Sequence, residues 1–295
     1  MNNINSKQSH HVWDIDFSQL MDLRIDYAFK RLFGSSDSLF LISLLNAIFT
    51  NKKILRTIKS LTIINPYLDK YSKSDKLSIL DIRAQLDDGS TVLIEMHLYD
   101  IDNLKYKTIR SWARTYSEEI KEGESYASQP PVICVAFVNG SLDNDESQKI
   151  HKCCKIMDID DNTVFSDALE LHYIDMKAFV KTINEAGGIE KGGAQDTMLT
   201  KWLAIITEKD IKDKTIIKSI CEEQEEIGMV VSALVRLSED KVTRQAYQKR
   251  QDEILLQHQK DRRLTELEAE VADKDAALAE QARLIAELRS RLGEE

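Results

Sequence analysis

Two acidic residues stand inside apolar segments of this chain where a buried strand would ordinarily carry none. Asp81 lies in the segment LSILDIRAQL, and Glu95 lies in the segment TVLIEMHL. Both segments are typical of β-strands, and the Asp-Asp-Gly-Ser stretch between them is typical of a hairpin turn. Successive side chains of a strand point to opposite faces, so the turn decides whether the two carboxylates meet.

The length of this turn gives a geometric test. A three-residue loop ending with Gly89 in the left-handed region is a common hairpin closure. Its register would pair Asp81 with Glu95 and would bring His97 to the same face. A four-residue loop would shift the register by one and would place Glu95 on the opposite face. We therefore expect the three-residue loop if the carboxylates act together.

Two carboxylates side by side repel each other unless a cation lies between them or one of them is protonated. Mg²⁺ is a natural neutralising ion, because it prefers carboxylate oxygens and retains several waters. A metal-bound water has a lowered pKa and can attack a phosphodiester. The pattern therefore predicts a metal site at Asp81 and Glu95.

A third acidic residue, Asp26, precedes this region. Asp26, Phe29, Lys30 and Phe33 have the spacing of one helical face, on which the two phenylalanines should face the core. Asp26 would then point toward the same interior edge. The alternative is an Asp26–Lys30 pair at the margin of the apolar stripe.

The elements that must position these residues occur in the order ααβββαβ, followed by a weaker αβ-like segment and then by helices. The glycines at 187, 188, 192 and 193 mark a domain boundary. We therefore predict a loosely ordered tail over residues 1–20, a domain over 21–190, a helical extension over 191–255 and a coiled coil over 256–295. Residues 169–175 are predicted as the last strand.

The helix predicted over residues 102–121 carries Lys107, Arg110 and Arg114 close together on its surface. These cations are candidates for a rim that contacts DNA phosphates. The alternative is a solvated helix face, shared with Glu118 and Lys121, whose opposite charges pair with one another.

The C-terminal segment has apolar residues every seven positions. One line is apolar throughout, and a second is half polar: the first comprises Leu264, Val271, Leu278, Ile285 and Leu292, the second Leu267, Lys274, Gln281 and Leu288. This spacing predicts a coiled coil of about four heptads and a homo-oligomer through residues 264–292. The alternative is a single surface helix lying on the body of the protein.

Composition narrows the classes of function. The formal net charge of −10 argues against a surface that grips DNA everywhere, and leaves room for a local basic rim around an acidic site. The apolar runs are too short for a membrane span, and the N-terminus lacks the apolar core of a signal peptide. Without a phosphate-cradling glycine loop we expect no nucleotide cofactor. These features predict a cytoplasmic protein that does not enter the membrane.

Several short motifs resemble the recombination-promoting nuclease (Rpn) family of the PD-(D/E)xK superfamily, whose members are also described as transposases. The resemblance covers roughly residues 21–240 and rests on motifs in the family's order: MDLRIDYAFKRLFG at 21–34, LLN at 44–46, LDIRA at 80–84, IEM at 94–96, and Arg110 followed by GESY at 123–126 and PPVICVAF. It implies an α/β fold in which helices flank a mixed sheet, Mg²⁺-dependent DNA cleavage, and a role in recombination or mobile-element biology. It also implies that Asp81 and Glu95 bind the metal, and that Asp26 is the acid of the first helix.

This chain departs from the family pattern at His97, where the superfamily usually has Lys and this family usually has Gln. Histidine could orient the attacking water, or it could ligate the metal and favour Mn²⁺ over Mg²⁺. It could equally mark relaxed selection on catalysis. Two functions follow: a metal-dependent DNA endonuclease, or a nuclease-fold DNA-binding or assembly protein with weak or no activity that oligomerises through its coiled coil.

Overall fold

The fold was analysed in a computed structural model, which divides the chain into two compact units, Met1–Gln248 and Lys249–Glu295. The structure describes these residues: 14–34, 38–52, 54, 56–64, 82–98, 103–120, 123, 125–140, 149–190, 192–193 and 196–293.

The described part of the first unit contains one mixed sheet of six strands in the order β1-β2-β3-β4-β6-β5. The strands are β1 Leu61–Ile64, β2 Ile82–Leu86, β3 Thr91–His97, β4 Val132–Val138, β5 His151–Met157 and β6 Val164–Asp175. Strands β3, β4 and β6 are parallel, and the remaining neighbours are antiparallel. The carboxyl ends of the three parallel strands therefore lie at the same edge of the sheet.

Helices flank this sheet, as the predicted fold class requires. The helices of the described residues are α1 Asp26–Phe33, α2 Leu39–Asn51, α3 Leu104–Glu119, α4 Met176–Ala186, α5 Met198–Ile206, α6 Lys214–Glu223, α7 Glu225–Glu239 and α8 Lys241–Leu292, and α8 continues from the first unit into the second. Among the described residues, no helix combines the length and the hydrophobicity that a membrane span requires.

The two faces of the sheet are covered by different helices. On one face, Leu93 and Ala136 join a buried apolar cluster that includes Leu104 at the start of α3. On the other face, the ring of Phe137 lies 5.8 Å from the ring of Phe29 in α1. Because side chains alternate along β4, α1 and α3 must lie on opposite sides of the sheet.

The second half of the first unit packs closely with the sheet-bearing half. The side chain of Trp202 in α5 is fully buried, and its ring lies 5.7 Å from that of Phe33 in α1. Before α1, Met21 donates its backbone N–H to the hydroxyl of Ser238 in α7. The helices from α5 to α7 thus share a core with α1. The predicted boundary near residue 190 stays a prediction.

The predicted tail over residues 1–20 is too long at its C-terminal end. Phe17 and Leu20 are buried, with exposed fractions of 4% and 5%. Phe17 belongs to a short 3-10 helix capped by the carboxylate of Asp16, which accepts from the backbone N–H of Ser18. The ordered body therefore begins before residue 21. The few apolar residues of this polar segment are buried in the core. Residues 1–13 lie outside the described part.

The strand content after β4 also differs from the prediction. Strand β5 was not predicted, and β6 begins at Val164 instead of residue 169. β5 is an edge strand, and two lysines and two cysteines occupy its middle. Most of its side chains are partly exposed, so it lacks the regular alternation of apolar and polar residues by which strands are recognised.

A chain of polar side chains, buried except for Asn51 at its end, lies under the β5–β6 edge. His172 donates from Nε2 to Glu170 Oε1 over 2.7 Å, and the ring nitrogens of His151 and His172 are 2.9 Å apart. Asn51 of α2 is 3.0 Å from His151 Nδ1. Since Glu170 can only accept when it is ionised, the proton positions follow in sequence: Asn51 donates to His151, and His151 Nε2 donates to His172 Nδ1.

Burial sets the charge states along this chain. It lowers the pKa of His151 to about 3 and also lowers the pKa of His172. Burial alone would raise the pKa of Glu170, but hydrogen bonds from His172 and Lys155 outweigh it and lower that pKa to about 2. Both imidazoles are therefore neutral beside an ionised carboxylate at neutral pH.

These shifts predict that the first unit loses stability as the pH falls from 7 to 5. In that range the unfolded chain protonates its histidines near pH 6.5 while folded His151 stays neutral, so the unfolded state takes up more protons. His151 alone should contribute about 2 kcal/mol to this loss. Urea unfolding, followed by tryptophan fluorescence, measures it at each pH.

The matched control is His151→Gln, which retains hydrogen-bonding capacity and removes the titrating group. This variant should be less stable than the parent at pH 7 and should show a weaker pH dependence between 7 and 5. An unchanged pH slope in the variant would contradict the buried neutral state of His151.

Candidate functional site

The turn between β2 and β3 has the predicted geometry. Gly89 adopts a φ of +87°, and its N–H donates to the carbonyl of Leu86 over 3.1 Å. Leu86 in turn donates its N–H to the carbonyl of Ser90 over 2.8 Å. The loop thus has three residues, and the register is Ile82 opposite Ile94. The predicted three-residue turn is confirmed, and the predicted register is confirmed as far as the pair Ile82–Ile94.

Alternation along β3 places Glu95 and His97 on the face that α3 covers. Both follow Leu93 at intervals of two residues, and Leu93 belongs to the cluster beneath α3. His97 Nε2 lies 2.8 Å from Glu95 Oε2, so the ring N–H donates to the carboxylate. The exposed fractions are 21% for His97 and 13% for Glu95, which leaves both within reach of a ligand. Asp81 lies outside the described residues.

Strands β4 and β6 extend this polar row across the sheet. Glu95 is aligned with Ala136, and Ala136 is aligned with Tyr173. The Tyr173 side chain is buried and hydrogen-bonded to Thr108 of α3, and burial raises its pKa to about 12. The charge of Glu95 acts in the same direction on Tyr173, so this carboxylate borders a poorly solvated region.

Sequence reasoning missed the contribution of Tyr173 and Thr108. Thr108 donates its hydroxyl to the carbonyl of Leu104 over 2.9 Å, and it also bonds Tyr173. Together they fix the first turns of α3 over the row that contains Glu95. The alternating position of Tyr173 in its predicted strand was visible in the sequence, but the crossover that makes β6 the neighbour of β4 was not.

The carboxylate oxygens of Glu95 and the ring nitrogen of His97 are donor atoms that divalent cations accept. A carboxylate oxygen is a preferred ligand of Mg²⁺, and an imidazole nitrogen is accepted by Mn²⁺ and softer ions. Within the described ranges, no group of three or more His, Cys, Asp or Glu side chains forms a metal-binding cluster. Glu95 and His97 would therefore need a further ligand, and Asp81, the ligand predicted from the sequence, is not among the described residues.

Asp26 lies on α1, which covers the other face of the sheet. It is the first residue of α1, it is half-buried, and its carboxylate accepts from the N–H of Tyr27 over 2.7 Å. Since Phe29 of the same helix packs on Phe137, Asp26 could approach Glu95 only around the end of the strands. Its role at the site stays a prediction.

The three basic residues predicted as a DNA rim lie on α3. Lys107 and Arg110 are exposed, and Arg114 is half-buried. Arg114 Nε lies 3.4 Å from Glu118 Oε1, so the pairing expected under the alternative interpretation is present at that position. The contact with DNA stays a prediction for all three.

A mixed sheet with an acidic residue at the end of its third strand and a helix crossing above it is the arrangement expected of a nuclease of the PD-(D/E)XK class. The model of the PD-(D/E)XK nuclease family transposases matches residues 23–260. The chain therefore belongs to this family, which confirms the predicted family and fold class. No curated protein and no solved structure matched the chain.

The turn that sets the register supplies a stability prediction. Gly89→Ala should destabilise the first unit by about 1–2 kcal/mol, because its φ is unfavourable for a residue with a Cβ. An added Cβ would meet no atom within 4 Å, so the loss should be purely conformational. Gly89→Asn should cost less, since asparagine tolerates the left-handed region. Urea unfolding of the two variants checks this, and equal losses would contradict the backbone explanation.

Proposed function

We propose that this protein is a metal-dependent DNA endonuclease that hydrolyses phosphodiester bonds in recombination or mobile-element activity. The observation that carries the proposal is the hydrogen-bonded pair of Glu95 and His97, which share one face at the carboxyl end of β3. Family membership supplies the class of chemistry. We expect the protein to act in the cytoplasm, where it would meet DNA without crossing a membrane.

Asp81 and Glu95 would hold the ion, which we expect to be Mg²⁺, with Mn²⁺ as the alternative. Bound there, the ion would supply a water of lowered pKa and would neutralise charge on the phosphate. Glu95 is suited to this role because a largely buried carboxylate gains more from a cation than an exposed one does. Asp26 would support a ligand or a second ion from the first helix.

His97 would position the attacking water. Its Nε2–H already donates to Glu95, so the imidazole has an orientation fixed by the same carboxylate that would bind the ion. A lysine at this position would add a permanent positive charge, whereas histidine adds one only when protonated. For this reason we expect the identity of residue 97 to limit the rate.

The DNA backbone would pass over α3. Lys107, Arg110 and Arg114 lie on a helix whose buried side packs on the same sheet face as Glu95. A local basic rim of this kind can hold phosphates although the whole chain carries a net charge of −10.

The second candidate function is an assembly or DNA-binding protein on a nuclease scaffold. The observation that favours it is the C-terminal helix, on which the large apolar side chains of the predicted seam are exposed. They include Leu264, Leu267, Val271, Leu278, Ile285 and Leu288, which are 40–62% exposed. Apolar residues in this heptad spacing are buried when two such helices pair.

The nuclease proposal predicts metal-dependent nicking of plasmid DNA. Asp81→Ala and Glu95→Gln should each lower the nicking rate at least about 100-fold, because loss of a ligand should exceed the 10- to 100-fold effect of losing a second-shell partner. Gel electrophoresis of supercoiled plasmid in Mg²⁺ or Mn²⁺ measures the rate.

The matched control for these variants is Glu225→Gln, which removes an exposed carboxylate from α7 of the same unit. It should nick at the parental rate. Equal nicking by the parent and Asp81→Ala would leave the scaffold function as the remaining candidate. Replacement of His97 by Gln or Lys then tests whether that residue limits the rate.

The coiled-coil proposal predicts self-association that depends on one side of α8. Leu278→Glu should shift the full-length protein toward monomer, because it places a charge in the apolar seam. Ala276→Glu introduces the same side chain two residues away on the opposite side of the helix, and it should leave the oligomer intact. Sedimentation velocity over a range of concentrations measures both, and a monomeric parent protein would contradict the proposal.

A further inference from the structure

The outer surface of α3 has two parallel stripes of different chemistry. The buried residues Leu104 and Thr108 mark the side that faces the sheet. At 100° per residue, Tyr106 projects almost directly away from that side, with Ile109 beside it. Tyr106 is 75% exposed and Ile109 is 46% exposed.

The neighbouring stripe is basic. Lys107, Arg110 and Arg114 fall within about 60° of one another around the helix, adjacent to the line of Tyr106. Lys107 and Arg110 are exposed. An aromatic side chain next to a row of cations is the combination that binds the bases and the phosphates of a single strand together.

The N-terminal part of this α3 surface belongs to the end of the helix that contacts the row of Glu95. Thr108 contacts Tyr173, which occupies the same row across the sheet as Glu95. Further along the helix, Trp112 donates its indole N–H to the carbonyl of Ala168, toward the other edge of the sheet. Tyr106 precedes Thr108 and therefore belongs to the Glu95 end of α3.

An exposed tyrosine alone would need no explanation, because single apolar residues are common on protein surfaces. Here it coincides with the basic stripe and with the end of the helix nearest the candidate metal ligand. A tyrosine ring offers a flat face for stacking and keeps its hydroxyl in water, so it can remain exposed until a partner arrives.

We propose that Tyr106 stacks on an unpaired base of the DNA substrate while Lys107 and Arg110 contact the adjoining phosphates. The substrate class is then DNA that exposes unpaired bases, such as a single-stranded end or a junction. This inference rests on the proposed nuclease function, since it places the DNA across the face that carries Glu95. It adds a base-contacting residue and a preference for substrate structure.

Binding is tested with the full-length protein in EDTA, so that no cleavage interferes. The probes are a single-stranded oligonucleotide containing 2-aminopurine and its fully paired duplex. Stacking on Tyr106 should quench the fluorescence of the single strand, and Tyr106→Ala should weaken its binding roughly 10-fold. Duplex binding should change less than about 2-fold in the same variant.

Two variants serve as controls. Tyr106→Phe keeps the ring and should bind the single strand like the parent protein. Tyr126→Ala removes another highly exposed tyrosine, which follows α3 and precedes the opposite end of β4 from that aligned with His97. It should have no effect. Circular dichroism of every variant verifies that the helix content is unchanged.

The outcomes separate this inference from the proposed function. If Tyr106→Ala binds the single strand like the parent while the parent still nicks plasmid, the stacking role is wrong and the nuclease proposal stands. Equal weakening on single strand and duplex also overturns the preference for unpaired bases. A parent protein that neither binds nor nicks DNA overturns both, and the α3 surface would then belong to a protein partner.

Discussion

The register of the β2–β3 hairpin determines what the candidate site can contain. With Gly89 in the left-handed region, the loop closes over three residues, and Leu86 pairs with Ser90. One residue more in the loop would turn Glu95 toward the side covered by α1, where Phe29 and Phe137 form a dry apolar contact. The chemistry of the α3 side therefore depends on the backbone of a residue that contributes no side chain.

Helix α3 combines an apolar inner side with a basic outer side, in a chain whose net charge is negative. Its inner side closes the apolar cluster around Leu93 and stabilises the first turn through Thr108 and Tyr173. Its outer side concentrates basic residues, although the whole chain is acidic. Since charges separated by more than about 10 Å are largely screened at 0.1 M salt, the local stripe and not the net charge sets the field that a bound phosphate would experience.

The sequence allowed the site to be predicted to the extent that its geometry is local. The turn and the alternation of β3 were readable because the hairpin brings together residues close in the chain. Strand β5 was missed because its pairing with β6 is an edge contact made by lysines and cysteines. The chain from Asn51 through His151 to Glu170 was missed for the same reason, since it joins α2, β5 and β6 across the fold.

For Asp26, the local pattern was correct but did not determine where the residue lies relative to the sheet. The helical spacing with Phe29 correctly indicated which side of α1 faces the core. It could not indicate which face of the sheet that core belongs to. The opposite faces follow from the alignment of Glu95 with Ala136 and from the contact of the next residue, Phe137, with Phe29.

His97 is where the enzymatic and scaffold interpretations separate in physical terms. Its Nε2 carries the proton that it donates to Glu95, so Nδ1 is the ring nitrogen that keeps a lone pair for an ion or a water. A ligand role would use Nδ1 while the bond to Glu95 holds the ring, as is common for metal-bound histidines. A role in positioning water would use the same nitrogen as an acceptor. In either role, the hydrogen bond to Glu95 fixes the orientation of the ring, so the enzymatic interpretation requires Nδ1 of His97 to face the ion or its water.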